Sequence, residues 1–150
     1  MSIWVEKISK EILKERSRNT LAEYLNIEFI EIGEDYLIAT MPVNHTTVQP
    51  MRILNGGASC ALAETVASTA ANHCVDQSKN FCVGLDINAN HLKSAKEGDM
   101  VRALTKPIHL GRSTQVWSVD IFNQENEHVC IARMTLAIIH REIKGKKSGE

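Results

Sequence analysis

The amino-acid sequence predicts an α+β fold in which an antiparallel sheet surrounds one central helix. Three observations lead there. Two short β-branched or aromatic runs, Ile27 to Ile32 and Tyr36 to Met41, flank the turn composition Gly33-Glu34-Asp35. A single long segment from Gly56 to about Val75 has no proline and no interior glycine and is rich in alanine, the best helix former. Four further strand-like runs fill the rest, at about Phe81 to His91, Met100 to Leu110, Thr114 to Asn123 and His128 to His140.

At the start of the chain, Trp4, Val5, Ile8, Ile12 and Leu13 recur at helical spacing between charges, which predicts a surface helix from Trp4 to Arg16. A short second turn is expected through Leu21 to Tyr24, capped by Asn19 or Thr20. The next two runs read as a hairpin. After the long helix, Gly98-Asp99, Gly111-Arg112 and Asn123-Gln124-Glu125-Asn126 are short turns, and short turns demand antiparallel neighbours. Val116 to Phe122 alternates imperfectly, whereas Cys130 to Ile139 is nearly continuous hydrophobe, so these strands are half to fully buried.

The chain has 150 residues, 43% of them hydrophobic, enough for one globular domain with a core and too few to expect two. Within it, residues 1–26 read as an N-terminal helical segment and residues 141–150 as a basic, flexible tail. The formal charge of −1, with both signs mixed along the chain, argues against a nucleic-acid or acidic-membrane surface. No apolar run approaches the roughly 20 residues that span a bilayer, and the N-terminus is charged where a signal peptide is apolar. A cytoplasmic location is therefore expected. The four cysteines, Cys60, Cys74, Cys82 and Cys130, have neither C-x-x-C pairing nor histidines at zinc spacing, and read as reduced, buried small hydrophobes with no metal.

The long helix holds the chemistry. Glu64, Thr65, Ser68, Thr69, Asn72 and His73 recur on one side, opposite Leu62, Ala63, Val66, Ala67, Ala70 and Ala71. A solvated stripe would carry lysine and arginine, and this one carries hydroxyls, an amide and one acid. Such a face is expected to be covered, and a second copy of the chain is the natural cover because symmetric dimers are the commonest assembly. Glu64 has a plain role as a helix-dipole partner. It also has a chemical one, since a carboxylate partly removed from water serves as general base or nucleophile. Upstream, the amides of Gly56 and Gly57 open the helix, where N–H groups lack intrahelical partners and bind a developing oxyanion. Gln49 adds an amide that orients water or a carbonyl. Carboxylate, oxyanion donor and polar positioner together point to acyl transfer.

The stretch Gln49-Pro50-Met51-Arg52-Ile53-Leu54-Asn55-Gly56-Gly57-Ala58-Ser59, then Ala63-Glu64-Thr65, Gly84-Leu85-Asp86-Ile87-Asn88-Ala89-Asn90-His91 and Lys106-Pro107-Ile108-His109-Leu110-Gly111-Arg112, resembles the hotdog-fold acyl-CoA thioesterases. The resemblance runs from about Ile27 to Ile139. It is strongest to the branch holding 1,4-dihydroxy-2-naphthoyl-CoA hydrolases of menaquinone biosynthesis and the enterobactin-pathway proofreading thioesterase. It implies a curved sheet around the helix, sites at a homodimer interface and assembly into a homotetramer. It also implies an acyl-CoA or acyl-carrier-protein thioester as substrate, with coenzyme A part of the substrate and no separate cofactor. By the same resemblance Glu64 acts on the thioester carbonyl or activates water, Gly56 supplies the oxyanion amide, Gln49 positions the reacting groups and Ser68 lies near the acyl group or attacking water. Coenzyme A contacts are implied at Gly84, at His91, Leu92, Lys93 and Ser94, and at His109, Leu110, Gly111, Arg112, Ser113 and Thr114. The plain readings remain open: a packed imidazole for His91 and solvated charges for Lys93, Lys96 and Lys106.

One residue departs from the pattern. Members of the branch usually read His-Gly-Gly where this chain has Asn55-Gly56-Gly57. Asparagine offers an amide donor and no titratable group, and it also caps helices well. The leading expectation is a thioesterase that retains activity, reduced by Asn55 and raised by Asn55→His. The alternatives are an acyl-CoA binding protein with weak or no turnover, and a hydratase, which needs an Asp/His pair that the motif lacks.

Overall fold

The alanine face of helix α3 (Gly56–His73) is the surface on which the rest of the chain is assembled. Leu62, Ala63, Val66, Ala67, Ala70 and Ala71 have no accessible surface, because small side chains let the helix approach the sheet closely. The structure is a computed structural model and describes residues 1–142. Its strands are β1 (Glu28–Ile32), β2 (Leu37–Pro42), β3 (Asn80–His91), β4 (Met100–Leu110), β5 (Thr114–Phe122) and β6 (His128–His140). They form one antiparallel sheet in the order β1-β2-β4-β5-β6-β3.

The expected elements are present, and the alternation of β5 is cleaner than the sequence reading allowed. Gln115, Trp117, Val119 and Ile121 are buried and their neighbours are half-buried, so one face meets the helix. Polar Gln115 fits that face because its groups are engaged. Trp117 Nε1–H donates to Gln115 Oε1 at 2.8 Å, and Gln115 Nε2–H donates to the Ala71 carbonyl at 3.5 Å.

The N-terminal segment corrects one expectation. Helix α1 runs only over Lys10–Arg16, with Ser9 as its cap accepting the Ile12 N–H at 3.2 Å. The residues before it are held by other chain segments. Ile3 N–H donates to the Glu34 carbonyl, Trp4 Nε1–H to the Gly33 carbonyl, and the Val5 and Glu6 N–H groups both to the His73 carbonyl. Tertiary hydrogen bonds thus outcompete the helical periodicity of Trp4, Val5 and Ile8. Helix α2 (Leu21–Tyr24) follows with Thr20 at its cap position, making no side-chain capping bond, while Asn19 takes a left-handed φ of 57°.

His73 is the second correction. It stands in the polar pattern of the helix yet is buried, because residues 3–6 cross the end of α3 above it. Its Nδ1–H donates to the Thr69 carbonyl at 2.8 Å. The tail was expected to be free from residue 141, but Arg141 donates its N–H to the Lys79 carbonyl and its Nε–H to the Gln77 carbonyl. The remainder of that tail, 143–150, lies outside the described residues. No helix among the described residues is long and apolar enough to cross a membrane.

Two predictions follow from the packing. Trp117→Phe removes the donor to buried Gln115 and leaves its oxygen without a partner, and is expected to lower unfolding stability by about 1–3 kcal/mol in urea titration. Burial holds the His73 imidazole below its ordinary 6.5, with Arg16 adding in the same direction and the Thr69 carbonyl and Glu6 opposing. The unfolded chain therefore binds this proton at higher pH than the native state. The stability contribution is complete above about pH 6.5 and is lost as pH falls through the lower native value. The urea midpoint is expected to drop between pH 7.5 and 5.5, and to drop less in His73→Gln.

Candidate active site

The start of α3 is organised by Asn55. Its backbone is extended, with φ −68° and ψ 132°, and its carbonyl accepts the Ala58 and Ser59 N–H groups at 3.0 and 3.2 Å. Its Oδ1 accepts the Gly57 N–H at 2.7 Å. Among the described residues the Gly56 N–H has no partner. Of the two glycine amides named by the sequence, one is consumed by the cap and one is left free.

The preceding loop is stapled in place. Gln49 and Arg52 close a turn through Arg52 N–H to Gln49 carbonyl at 2.8 Å, with Arg52 at a left-handed φ of 62°. The Arg52 guanidinium forks onto Glu97, and Leu54 N–H donates to the Ala95 carbonyl at 2.8 Å. These bonds set Gly56 beside the segment that follows β3. A groove of about 330 Å³ results, lined by Gly56, Ser59, His91, Leu92, Lys93 and Ser94 among others. In it the His91 ring lies against Gly56: a Cβ on Gly56 would lie 3.0 Å from His91 Nε2. Lys93 is ion-paired with Glu127, whose carboxyl that contact, with help from Asn123, holds below the usual range. Gln49 lies outside the groove's lining, and its Oε1 accepts the Met51 N–H, so its side chain folds onto its own loop.

Glu64 stands two turns further along α3. It is exposed in the single chain and has no hydrogen bond or ion pair among the described residues. The desolvation that the sequence reading asked for is not supplied by this chain's own residues. Gly84 makes room for the carboxylate: a Cβ there would lie 2.5 Å from Glu64 Oε1 and equally close to Met134 Cε. A register shift between Gly84 and Asp86 marks the same point of β3. Ser68, one turn beyond Glu64, lines a cavity of about 200 Å³ with Thr65, Asn72, Leu13, Ser17 and Thr20. Part of the polar face of α3 is therefore covered by α1 and α2 of the same chain. A larger cleft of about 700 Å³ between α1, α2 and β1, lined by Lys14, Glu15, Arg18 and Glu28, touches none of the residues at the start of α3.

The second group of predicted coenzyme A contacts is elsewhere. His109 to Thr114 form the end of β4 and its turn into β5, where Gly111 N–H donates to the Thr114 carbonyl and Ile138 N–H to the Ser113 carbonyl. Thr114 pairs with Ala137 on β6, whereas His91 pairs with Cys130. Seven residues of β6 separate the two levels, about 23 Å at strand rise. One chain does not bring His91 to Ser94 and His109 to Thr114 together.

The sequence reading missed three arrangements: the Arg52–Glu97 staple, the imidazole against Gly56, and the space that Gly84 leaves for Glu64. Only the last had a signal, an isolated glycine inside a strand pattern. All four cysteines are free. Cys82 and Cys130 are buried, and burial pushes their thiols up to about 11. Half-buried Cys74 is pushed to about 12 by the same cause, so these are inert packing residues. No cluster of metal-ligating side chains occurs among the described residues.

The family model described as the thioesterase superfamily matches residues 51–130, the span from the loop before α3 into β6. The chain belongs to the thioesterase superfamily. It is 44% identical over 91% of its length to the 1,4-dihydroxy-2-naphthoyl-CoA hydrolase of Escherichia coli, of which 99% is covered. It is 39% identical over 91% of its length to the proofreading thioesterase EntH of Cronobacter turicensis, of which 98% is covered. The crystal structure of a mutant thioesterase from Pseudomonas aeruginosa superimposes with a TM-score of 0.91 at 38% identity, covering 93% of this chain and all of that one. The sheet and central helix of this thioesterase are the hotdog fold, and its chemistry is thioester hydrolysis.

Loss of the Asn55 cap is measurable apart from activity. Asn55→Ala is expected to lower stability by about 1 kcal/mol and Asn55→Ser to leave it nearly unchanged, both read by thermal or urea unfolding.

Proposed function

We propose that this thioesterase hydrolyses an aromatic or related acyl-CoA thioester at sites shared between two copies of the chain. Glu64 acts on the carbonyl carbon, directly or through water, and the Gly56 N–H receives the oxyanion. The thiol of coenzyme A leaves and the acyl group departs as a carboxylic acid. The observation that carries this reading is that the two free groups sit on one straight helix eight residues apart, about 12 Å along its axis. A single carbonyl must lie about 3 Å from its donor and its attacking group, so the Gly56 of one copy needs the partner's Glu64.

The sheet offers the surface for that pairing. β3 is twelve residues long, is hydrogen-bonded among the described residues only to β6 and exposes Val83 and Leu85, an open edge that soluble proteins seldom leave bare. Two β3 edges joined antiparallel about a two-fold axis set the His91 end of one copy against the Phe81 end of the other. The same operator narrows both separations found within one chain, Gly56 from Glu64 and His91–Ser94 from His109–Thr114. Lys93, Ser94 and Arg112 then meet the pantetheine and phosphate oxygens of coenzyme A, and burial at the interface supplies the desolvation of Glu64. Ser68 stands one turn from the acid, and the Gln49 amide keeps its N–H groups available to position the reacting atoms. A homotetramer of two such dimers is the expected assembly in the cytoplasm.

Asn55 does not block this chemistry, because its side chain occupies the Gly57 amide and leaves the Gly56 amide free. That favours turnover over mere binding. The relative named 1,4-dihydroxy-2-naphthoyl-CoA hydrolase supports an aromatic acyl group. If that group is 1,4-dihydroxy-2-naphthoyl, the reaction belongs to menaquinone biosynthesis.

Release of free thiol from benzoyl-, 4-hydroxybenzoyl- and 1,4-dihydroxy-2-naphthoyl-CoA, and from the matching carrier-protein thioesters, tests the reading. Glu64→Ala is expected to lower kcat by about 10²–10⁴ while the protein elutes as a dimer or larger. No thiol from any substrate, or turnover unchanged in Glu64→Ala, overturns it.

A further inference from the structure

The start of α3 has one free amide where oxyanion sites commonly use two donors. Asn55 Oδ1 holds the Gly57 N–H, so that amide is withdrawn and only the Gly56 N–H remains. Against the same glycine lies an imidazole. A Cβ on Gly56 would meet His91 Nε2 at 3.0 Å, Cε1 at 3.1 Å and Cδ2 at 3.5 Å, so the ring presents its Nε2 edge to the Gly56 backbone. The ring has no hydrogen bond or ion pair among the described residues, although it is next to a groove that Ser59, Lys93 and Ser94 also line. His91 is exposed in the single chain, so its ring nitrogens are open to a bound group, whereas buried His73 has its Nδ1–H on the Thr69 carbonyl.

The backbone holds His91 in place. It is the last residue of β3 and pairs with Cys130 of β6, while Leu92 N–H donates to the Val129 carbonyl at 2.9 Å just beyond it. The Gly56 side is fixed by the Asn55 cap and by the Leu54–Ala95 bond. Both donors thus sit on rigid elements of a single chain.

We infer that His91 is a catalytic residue of the proposed hydrolysis, donating Nε2–H to the same carbonyl oxygen that the Gly56 amide receives. This rests on the reading of Gly56 as the oxyanion donor and goes beyond a coenzyme A contact. No proton is transferred by His91 in this role. The N–H stabilises negative charge as the carbonyl carbon becomes tetrahedral and is released when the C–S bond breaks. Because charge on oxygen is greater in the transition state than in bound thioester, the effect falls on kcat.

The test is steady-state thiol release from benzoyl-CoA, with 4-hydroxybenzoyl-CoA as second substrate, for wild type, Glu64→Ala, His91→Phe, His91→Gln, Asn55→Ala, and Asn55→His combined with His91→Phe. His91→Phe keeps a ring at the position and removes the donor, and His91→Gln keeps an N–H. The expected result is a fall in kcat of about 10²–10³ in His91→Phe with KM within about threefold, and partial recovery in His91→Gln. The double variant is expected to regain kcat over His91→Phe, since it returns an imidazole to the helix side. A raised KM with unchanged kcat makes His91 a binding contact and overturns the inference. So does a greater loss of kcat in Asn55→Ala than in His91→Phe, which places the second donor on the Asn55 amide. Wild type without turnover, or Glu64→Ala equal to wild type, instead overturns the proposed function on which the inference stands. Circular dichroism of exposed-site variants at His91 is expected to match wild type, so a folding defect is seen separately.

Discussion

The close contact between the alanine face of α3 and the concave side of the sheet sets everything else in this molecule. Ala63, Ala67, Ala70 and Ala71, with Leu62 and Val66, are fully buried against Trp117, Val119, Ile121, Met134 and Leu136. A helix at that distance has a fixed rotation, because any other face would bring polar groups into the core or leave the alanines in water. Fixing the rotation fixes which way Glu64 faces, and the missing side chain at Gly84 is the sheet's accommodation of it. Gln115 reinforces the arrangement as a buried polar bridge between β5 and the end of α3.

A straight helix also imposes a distance. Groups eight residues apart are two turns apart, and no rotamer closes about 12 Å. The molecule therefore carries the free Gly56 amide and the Glu64 carboxylate at separate stations, each beside a different part of β3: Gly56 beside His91, Glu64 beside Gly84. Under the proposed function the exposed Glu64 and the edge of β3, which has no second partner strand among the described residues, are half of a shared site. The segments proposed to hold coenzyme A are likewise apart, one toward each end of β6.

Local chemistry at the helix start separates two glycines that look equivalent in the sequence. The cap takes Gly57, and the loop staple from Arg52 to Glu97 holds Gly56 against the β3 end. The asparagine at the cap thereby affects a neighbouring amide as well as its own position. The consequence for electrostatics is specific: among the described residues one backbone donor is free, one exposed imidazole beside it has no partner, and the cap itself carries no charge.

The sequence by itself determined the element types and nearly all their limits. Periodicity, turn residues and the unbroken alanine run are local properties, and the order of two strands, a long helix and four strands is written in them. It also named Glu64, Gly56 and Asn55, because an isolated acid and a glycine pair at a helix start are local signals too. It misjudged Trp4 to Ser9 and His73, where hydrogen bonds to Gly33, Glu34 and His73 from distant positions override helical spacing. Strand order lay beyond it: nothing in β3 says that it pairs with β6 at the sheet edge, since pairing depends on contacts made fifty residues apart in the chain. The same holds for His91 against Gly56 and for the room at Gly84. Those are distances between segments that meet only when the helix has been laid on the sheet, and tertiary structure alone decides them.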